Sequence, residues 1–209
     1  VSFTTVEDAL AHEPSLIVRK RFIGDPNGVI GLRGSNMFQT TRSMVFVDGM
    51  PLHYHLQTRY RGAPRWSLVS PGEIDNVEVI YGAFSAEYSG NAMGGVVNVN
   101  TRRPDSERIT FETGYFAQEY QQQETDETFG GYRTYASYEN RIGNLGVFAS
   151  YTRLDNEGQP QTQLFAKPGP GSAGAIASSG AVPGINEVSE AGVYFADSGP
   201  ESAKTDLFK

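Results

Sequence analysis

The sequence contains no cysteine, and this absence excludes disulfide scaffolds, thiol catalysis and cysteine-ligated zinc. It contains no run of 18 or more apolar residues, so no membrane-spanning helix is predicted. Its first residues lack the basic and apolar regions of a secretory signal peptide. Strands of a membrane β-barrel alternate in polarity and leave hydropathy low, so that class is still compatible with this sequence.

An excess of positive charge is also missing. Seventeen Lys and Arg stand against 24 Asp and Glu, a formal net charge of −7, which argues against a nucleic-acid partner. The charge is uneven: residues 1–104 hold 10 basic and 9 acidic residues, and residues 105–209 hold 7 and 15. This asymmetry predicts two domains, 1–104 and 105–209, that face different surroundings.

No Ser/His/Asp constellation, phosphate-cradling loop or paired-carboxylate pattern is present, so the sequence does not predict an enzyme or a cofactor. His53 and His55 would point the same way on a strand and could bind a metal. Only His12 is available elsewhere. A complete transition-metal site is therefore not expected, and contact with a ligand or loop packing are the alternatives for the two histidines.

The first half predicts a small, loop-rich mixed α/β domain. A short helix is expected after Thr4, with Thr4 as its cap and Glu7 reciprocating. Short strands follow, and the third ends in an Asp-Gly turn that requires positive φ at the glycine. The predicted strands are Leu16–Val18, Val29–Gly34, Met44–Leu52, Ile74–Ile80 and Gly94–Asn100.

The second half predicts long period-two strands with one apolar face. Three strands of roughly ten residues are expected within residues 109–153, joined by one long loop and then by a tight turn at Arg141–Asn144. Residues of about 156–200 are rich in Gly, Ala, Ser and Pro and predict a long loop, and a fourth strand is expected from Lys204. A soluble antiparallel sandwich is the alternative.

Three patterns in the first half have a recognisable order and spacing. They are a strand ending in Arg33-Gly34, a strand ending in Asp48-Gly49, and the segment Ile74–Thr101, in which a Glu-Val strand leads through Tyr81-Gly82 to Gly94-Gly95-Val96-Val97-Asn98. Together they resemble the plug domain of TonB-dependent outer-membrane receptors. The resemblance covers residues 4 to about 155.

The resemblance implies a plug inside the lumen of a 22-stranded antiparallel transmembrane β-barrel, with residues 156–200 as an extracellular loop. It implies a Gram-negative outer-membrane location among lipid and lipopolysaccharide, energised by the TonB–ExbB–ExbD complex through a segment outside this chain. The implied function is import of a scarce bulky nutrient, chiefly a ferric siderophore. Import of cobalamin, carbohydrate or peptide, and ligand sensing without import, are the alternatives.

The resemblance also places the ligand against apical plug loops. Residues 26–72 have Asp48 as their only acidic residue and carry a formal charge of +4, so the expected ligand is anionic. The expected contacts are Arg21, Phe22, Asn36, Gln39, His53, Tyr54, His55, Arg59, Tyr60, Arg61 and Trp66.

The plug is expected to be held in place by Arg33, buried against wall carboxylates or an acceptor within the plug, with Glu78 as a second locking residue. Tyr81 stands where the family commonly has a second arginine, so one expected plug arginine is missing. Odd-numbered residues of the first and third strands, and even-numbered residues of the second, are expected to face lipid. Arginine in place of Phe111 or Val147 should therefore be costly, whereas arginine at Ser150 should be nearly free.

Overall fold

A computed structural model describes residues 3–25, 28–34, 43–53, 63–82, 88, 92–122, 125–167, 182–197 and 199–209. These ranges contain three short 3₁₀ helices, thirteen strands and no α-helix. None of the described helices is long and apolar enough to cross a membrane. Two units are distinguished below: the N-terminal unit, residues 3–103, and the remainder, which forms a sheet of long strands and a smaller sheet of short ones.

The first 3₁₀ helix, Val6–Leu10, begins one residue later than the capping pattern predicted. The carboxylate of Asp8 accepts hydrogen bonds from the backbone N–H and the hydroxyl of Thr5, each at 3.0 Å. The ammonium group of Lys20 also contacts Asp8. The expected capping pair of Thr4 and Glu7 is wrong because Thr5 is the N-cap and Asp8, three residues later, is its capping-box partner.

The N-terminal unit contains two sheets. An antiparallel pair joins β1 to β2, and a four-stranded sheet has the order β4-β3-β6-β5, in which β3 and β6 are parallel and the other pairs antiparallel. The bounds are β1 Leu16–Arg19, β2 Val29–Leu32, β3 Ser43–Val47, β4 Met50–Pro51, β5 Ile74–Tyr81 and β6 Gly95–Thr101. Two further 3₁₀ helices, Trp66–Leu68 and Pro71–Glu73, precede β5.

The predicted Asp-Gly turn connects β3 to β4. Both turn residues have positive φ, 48° at Asp48 and 81° at Gly49, as a two-residue hairpin turn requires. The Asp48 carboxylate accepts hydrogen bonds from the backbone N–H of Thr101 at 2.9 Å and from its hydroxyl at 2.6 Å. The turn is therefore fixed to the end of β6.

An apolar core lies between the first 3₁₀ helix, the strand pair and the four-stranded sheet. Its side chains come from every element of the N-terminal unit except β4 and β5 and the third 3₁₀ helix, with partly buried residues of β5 packed against it. The core consists of Val6, Leu10, Leu16, Ile30, Leu32, Val45, Val47, Leu52, Trp66, Val69, Val97 and Val99. Burial of this apolar surface is the main term that stabilises so small a unit.

The second unit is an antiparallel sheet of long strands, called the wall sheet here, with the order β13-β9-β8-β7. Its strands are β7 Arg108–Gln122, β8 Thr125–Ile142, β9 Leu145–Pro160 and β13 Pro200–Phe208. The strand expected from Lys204 is confirmed as part of β13. The first three strands have 15, 18 and 16 residues, so the prediction of about ten was too short.

The long loop predicted between the first two wall strands is also wrong. Residues 116–122 and 125–131 pair in register, from Phe116 with Gly131 to Gln122 with Thr125. Their side chains are mostly polar or small, so the period-two hydrophobic signal weakens there although backbone pairing continues. The tight turn between β8 and β9 is confirmed, at Gly143 and Asn144.

The wall sheet has the predicted alternation of faces. Odd-numbered residues of β8 are buried from Arg133 to Glu139, and even-numbered residues of β9 are buried from Ser150 to Asn156. On the opposite face, Ile109, Phe111 and Tyr115 of β7 have exposed fractions of 76%, 69% and 77%. The buried face lies against the N-terminal unit, and the opposite face presents large apolar side chains.

The expected loop at about 156–200 contains more structure than the sequence predicted. β9 continues to Pro160, and β10 Gln163–Ala166, β11 Val182–Ile185 and β12 Ala191–Asp197 form a three-stranded antiparallel sheet. Phe165 and Tyr194 pack edge to face across it, with ring centroids 5.1 Å apart. Gly and Pro in β11 and Gly in β12 interrupt the alternation of apolar and polar residues, so the sequence did not predict these strands.

Candidate functional site at the interface between the two units

The most tightly held contact between the units is made by Glu73, at the end of the third 3₁₀ helix. Its side chain is 1% exposed. Oε1 accepts a hydrogen bond from Ser150 Oγ on β9 at 2.7 Å, and Oε2 accepts one from Lys209 Nζ at 2.6 Å. Ser150 and Lys209 are also paired through their backbones. One carboxylate therefore fixes the N-terminal unit to two adjacent chain segments of the wall sheet.

Close backbone approach adjoins this contact at Gly72. A Cβ atom built on Gly72 would lie 2.4 Å from Cε1 of Tyr135, on β8. Tyr135 is fully buried. No side chain fits between the two, so the aromatic ring of the wall sheet packs directly on the backbone of the N-terminal unit.

A third contact holds the start of the described chain. Arg133, on β8, donates from Nη1 to the carbonyl oxygen of Phe3 at 2.5 Å and from Nη2 to Glu112 on β7 at 2.6 Å. Only 8% of the Arg133 side chain is exposed, and the fork of its guanidinium group serves both partners. This arginine belongs to the wall sheet, and sequence reasoning did not single it out.

A fourth contact lies near the end of β9. Asn156 Nδ2 donates to the carbonyl oxygen of Ile23 at 2.8 Å, and Gln159 Nε2 donates to that of Arg21 at 2.7 Å. Beside them, Phe22 lies over Gly158, where an added Cβ would be 3.0 Å from the Phe22 Cβ. Side-chain amides of the wall sheet thus bind backbone carbonyls in the loop between β1 and β2.

An arginine of the N-terminal unit also faces a wall carboxylate, but it is not the expected one. Arg102, just after β6, lies 3.9 Å from Glu139 on β8, and Arg108 on β7 lies 3.1 Å from the same carboxylate. Glu139 is buried. Two arginines therefore compensate one buried acidic group where the chain passes from the first unit to the second.

Within this chain no described wall carboxylate buries Arg33, so its locking role stays a prediction. Arg33 is exposed, has φ of 52°, and donates its backbone N–H to the carbonyl oxygen of Ser15 at 2.8 Å. The turn that follows β2 directs this residue away from the interface. Glu78 is exposed on β5. Among the described residues, the charged groups that contact the other unit are Glu73, Arg102 and Arg133.

The expected ligand contacts divide into two groups. Seven of them lie outside the described residues: Asn36, Gln39, Tyr54, His55, Arg59, Tyr60 and Arg61. Of the other four, Arg21 is exposed and pairs with Asp25 at 2.8 Å. Phe22, His53 and Trp66 are buried.

The polar atoms of His53 and Trp66 have partners inside the N-terminal unit. His53 Nε2 accepts the backbone N–H of Val45 at 2.9 Å, and Trp66 Nε1 donates to the carbonyl oxygen of Gly28 at 2.8 Å. Both side chains therefore serve as internal packing groups, the alternative that the sequence left open for the histidine. Within the described ranges, no cluster of three or more His, Asp or Glu side chains could hold a metal ion.

The expectation that Ser150 tolerates arginine is also wrong. Ser150 is 8% exposed and donates to Glu73, so an arginine there would have to displace the N-terminal unit. One sequence signal did mark Glu73: Ser70-x-x-Glu73 has the spacing of a capping box, and the backbone N–H of Ser70 lies 3.3 Å from Glu73 Oε2. Its partners Ser150 and Lys209 are too distant in sequence to be inferred from spacing.

Comparison with known proteins agrees with this architecture. Residues 2–96 match the family described as TonB-dependent Receptor Plug Domain. This match assigns the N-terminal unit to the plug-domain family. The resemblance drawn from the three sequence patterns is therefore confirmed, and the N-terminal unit is called the plug from here on.

Two relatives come from Pseudomonas aeruginosa. The ferric enterobactin receptor PirA is 36% identical over 92 residues, covering 37% of this chain and 12% of that protein. A second ferric enterobactin receptor is 31% identical over 127 residues, covering 51% of this chain and 17% of that protein. The chain thus spans less than a fifth of the length of either relative.

The fold is shared with solved receptor structures. The ferric enterobactin receptor PfeA of Pseudomonas aeruginosa, in complex with enterobactin, superposes with a TM-score of 0.56 at 20% identity. The match covers 75% of this chain and 23% of that one. The siderophore receptor PirA of Acinetobacter baumannii gives a TM-score of 0.54 at the same identity. These similarities extend the plug assignment to the fold of the plug together with wall strands.

Proposed function

We propose that this chain is the plug and the first barrel strands of an outer-membrane transporter that imports a ferric siderophore. In this proposal residues 1–104 form the plug, and residues 105–209 form the first barrel strands, with residues 156–200 on the extracellular side. The proposal is supported by the plug family match and by the relatives, several of which are named as ferric enterobactin receptors. TonB–ExbB–ExbD supplies the energy, since an outer membrane has no ATP.

The observation that carries this proposal is the polar seating of the plug. The contacts of Glu73, Phe3, Ile23 and Arg21 with the wall sheet are hydrogen bonds to polar side chains. Such bonds contribute about 0.5–3 kcal/mol each and can be replaced by bonds to water when the plug moves. A plug seated in this way is displaced more easily than one that shares a continuous apolar core with its barrel.

The ligand side of the proposal rests on charge. Residues 26–72 have a formal charge of +4 within a chain of net charge −7, which favours an anionic chelate. Arg59 and Arg61, with Arg65, supply most of this charge. We assign these three arginines to the ligand path and the Glu73 contact to plug seating. Ferric enterobactin is the first compound to test, because the relatives are named for it.

The test is uptake by cells that lack their own siderophore receptors and carry the complete gene. We expect saturable binding of radiolabelled ferric enterobactin and accumulation inside energised cells. Inactivation of TonB should abolish accumulation and preserve binding. Import in the absence of TonB would contradict the proposed energy source. Binding without accumulation in energised cells with TonB would favour a sensing receptor instead.

A further inference from the structure

Two residues from the family patterns, Tyr81 and Arg33, hold the same short segment of the plug. This segment, residues 11–15, connects the first 3₁₀ helix to β1, is exposed along its length, and is called the strap here. Tyr81, the last residue of β5, donates a hydrogen bond from its hydroxyl to the carbonyl oxygen of Pro14. Arg33, just after β2, donates its backbone N–H to the next carbonyl oxygen, that of Ser15, at 2.8 Å. Donors from both sheets of the plug therefore bind two consecutive carbonyl groups of the strap.

The end of the strap has a backbone conformation that its own sequence does not favour. Ser15 has φ of 57° and Arg33, its hydrogen-bond partner, has φ of 52°, in the left-handed region that residues other than glycine rarely adopt. Such conformations persist where surrounding contacts hold them. Burial cannot hold the strap, because all five of its residues are exposed. The hydrogen bonds to Pro14 and Ser15 therefore hold this end of the strap in place.

Tyr81 also connects the strap to the contact that seats the plug. β5 runs from Ile74 to Tyr81, eight residues, and begins directly after Glu73. At that end of the strand, Glu73 binds Ser150 and Lys209 of the wall sheet. At the other end, the Tyr81 ring packs against the apolar core, which fixes the position of its hydroxyl. One strand, paired with β6, therefore links the seating contact to the strap.

We propose that Tyr81 is an internal lock of the plug, which couples the first 3₁₀ helix to the seating contact at Glu73. The family commonly has an arginine at this position, whereas the tyrosine of this chain bonds within the plug. With the strap held, the helix and the four-stranded sheet leave the wall sheet together. Without the Tyr81 hydroxyl, either can move while the other stays seated. This assignment goes beyond the proposed import function and requires neither an imported ligand nor an energy source.

The first test is hydrogen–deuterium exchange of the full-length receptor in detergent, without ligand. Tyr81→Phe removes the hydroxyl and keeps the ring in the core. Loss of one hydrogen bond should raise exchange of residues 11–16 about threefold to tenfold. Exchange of residues 74–80 should be unchanged, because β5 remains paired with β6. Tyr194→Phe is the matched control, since Tyr194 also donates its hydroxyl to a backbone carbonyl, that of Ile185 at 3.1 Å, but in the sheet of β10, β11 and β12.

The second test measures coupling, which a hydrogen bond of only local importance would not change. Lys209→Met removes one donor to Glu73 and is introduced alone and together with Tyr81→Phe. In the receptor that retains Tyr81, weaker seating should raise exchange both at residues 70–81 and at residues 6–16. In the Tyr81→Phe background, Lys209→Met should still raise exchange at residues 70–81. Its effect on residues 6–16 should there be smaller by about threefold or more.

The proposal requires both results, together with unchanged exchange of residues 6–16 in Tyr194→Phe. Unchanged exchange of the strap in Tyr81→Phe, or a rise that is equal in the strap and in residues 74–80, would overturn it. So would an effect of Lys209→Met on residues 6–16 that is the same in both backgrounds, including no effect in either. A rise in strap exchange from Tyr194→Phe as large as that from Tyr81→Phe would also overturn it.

Discussion

Lys209 Nζ donates a hydrogen bond to Glu73 Oε2 at 2.6 Å, although 136 residues separate the two in sequence. The bond connects the plug with the end of β13, and Ser150 of β9 donates to the other oxygen of the same carboxylate. The polarity is the reverse of the expected plug arginine against wall carboxylates. In this chain a plug carboxylate is held by donors from the wall sheet.

Removal of the Lys209 ammonium group should weaken seating of the plug. Lys209→Met leaves the buried Glu73 carboxylate with fewer donors, and we expect a loss of about 1–3 kcal/mol in the free energy of plug unseating. Lys204→Met is the matched control, because Lys204 is 67% exposed and faces Asp155 within the wall sheet. Hydrogen exchange of residues 70–81 in the full-length receptor measures the effect, and equal exchange in both variants would contradict this assignment.

A methyl group at Gly72 should push the plug away from β8. Gly72→Ala places its Cβ 2.4 Å from the Tyr135 ring, and overpacking of this kind typically costs about 1–3 kcal/mol. Tyr135→Ala should relieve the clash in the double variant, whereas Tyr135→Phe keeps the ring and should not. The test is the thermal unfolding midpoint of Gly72→Ala, Tyr135→Ala and the two double variants that combine Gly72→Ala with Tyr135→Ala or Tyr135→Phe. Recovery of stability in the double variant with phenylalanine would show that the ring is not the obstacle.

A charged side chain on the outward face of the wall sheet should destabilise the receptor in the membrane. Tyr115 is 77% exposed on that face of β7, so Tyr115→Arg should destabilise insertion by about 2–4 kcal/mol if the residue lies near the bilayer midplane. Gln118→Arg, on the opposite face of the same strand, is the control. Urea unfolding of the receptor in lipid vesicles measures both. Equal cost on the two faces would contradict the assignment of the outer face to lipid.

Neutralising Arg59, Arg61 and Arg65 together should weaken capture of an anionic chelate. Exposed charges act through a screened field, so the loss should be larger at low ionic strength than at high. Arg33→Ala, at an exposed position outside this group, should leave binding largely unchanged. Equilibrium binding of ferric enterobactin at two salt concentrations measures the difference. Loss of binding from Arg33→Ala alone would move the ligand path to the end of β2.

Sequence patterns predicted the strands of the plug because short apolar runs such as Met44–Val47 are bounded by turn residues. They also predicted which face of β8 and β9 is buried, because alternation fixes the face of every residue on a strand. The sequence underestimated the lengths of β7 and β8. Residues 116–122 and 125–131 pair through backbone hydrogen bonds, but their side chains are mostly polar or small, so no alternation of apolar residues marks these parts of the strands.

The interface contacts were harder to predict. Trp66 and His53 looked like ligand contacts because they lie beside a basic, aromatic loop, but each has a buried partner inside the plug. Lys209, Ser150 and Arg133 occur in segments with no motif. Only the fold brings them to the plug, so neither spacing nor composition could have identified them.

The most direct test of the central claim, that a plug seated on the wall sheet must move for import, is a reversible tether between the two units. Phe22→Cys with Gly158→Cys places the two Cβ atoms about 3.0 Å apart, in a chain without other cysteines. A disulfide needs about 3.5–4.5 Å between these atoms, and the new Cβ lies 2.8 Å from the Glu201 carbonyl oxygen, so a small shift of the backbone must accompany bond formation. The single variants, and a Tyr138→Cys/Ala149→Cys pair within the wall sheet, are the controls. The account predicts that the oxidised tether abolishes siderophore uptake, preserves surface binding, and allows uptake again after reduction. Undiminished uptake by fully cross-linked receptor would contradict it.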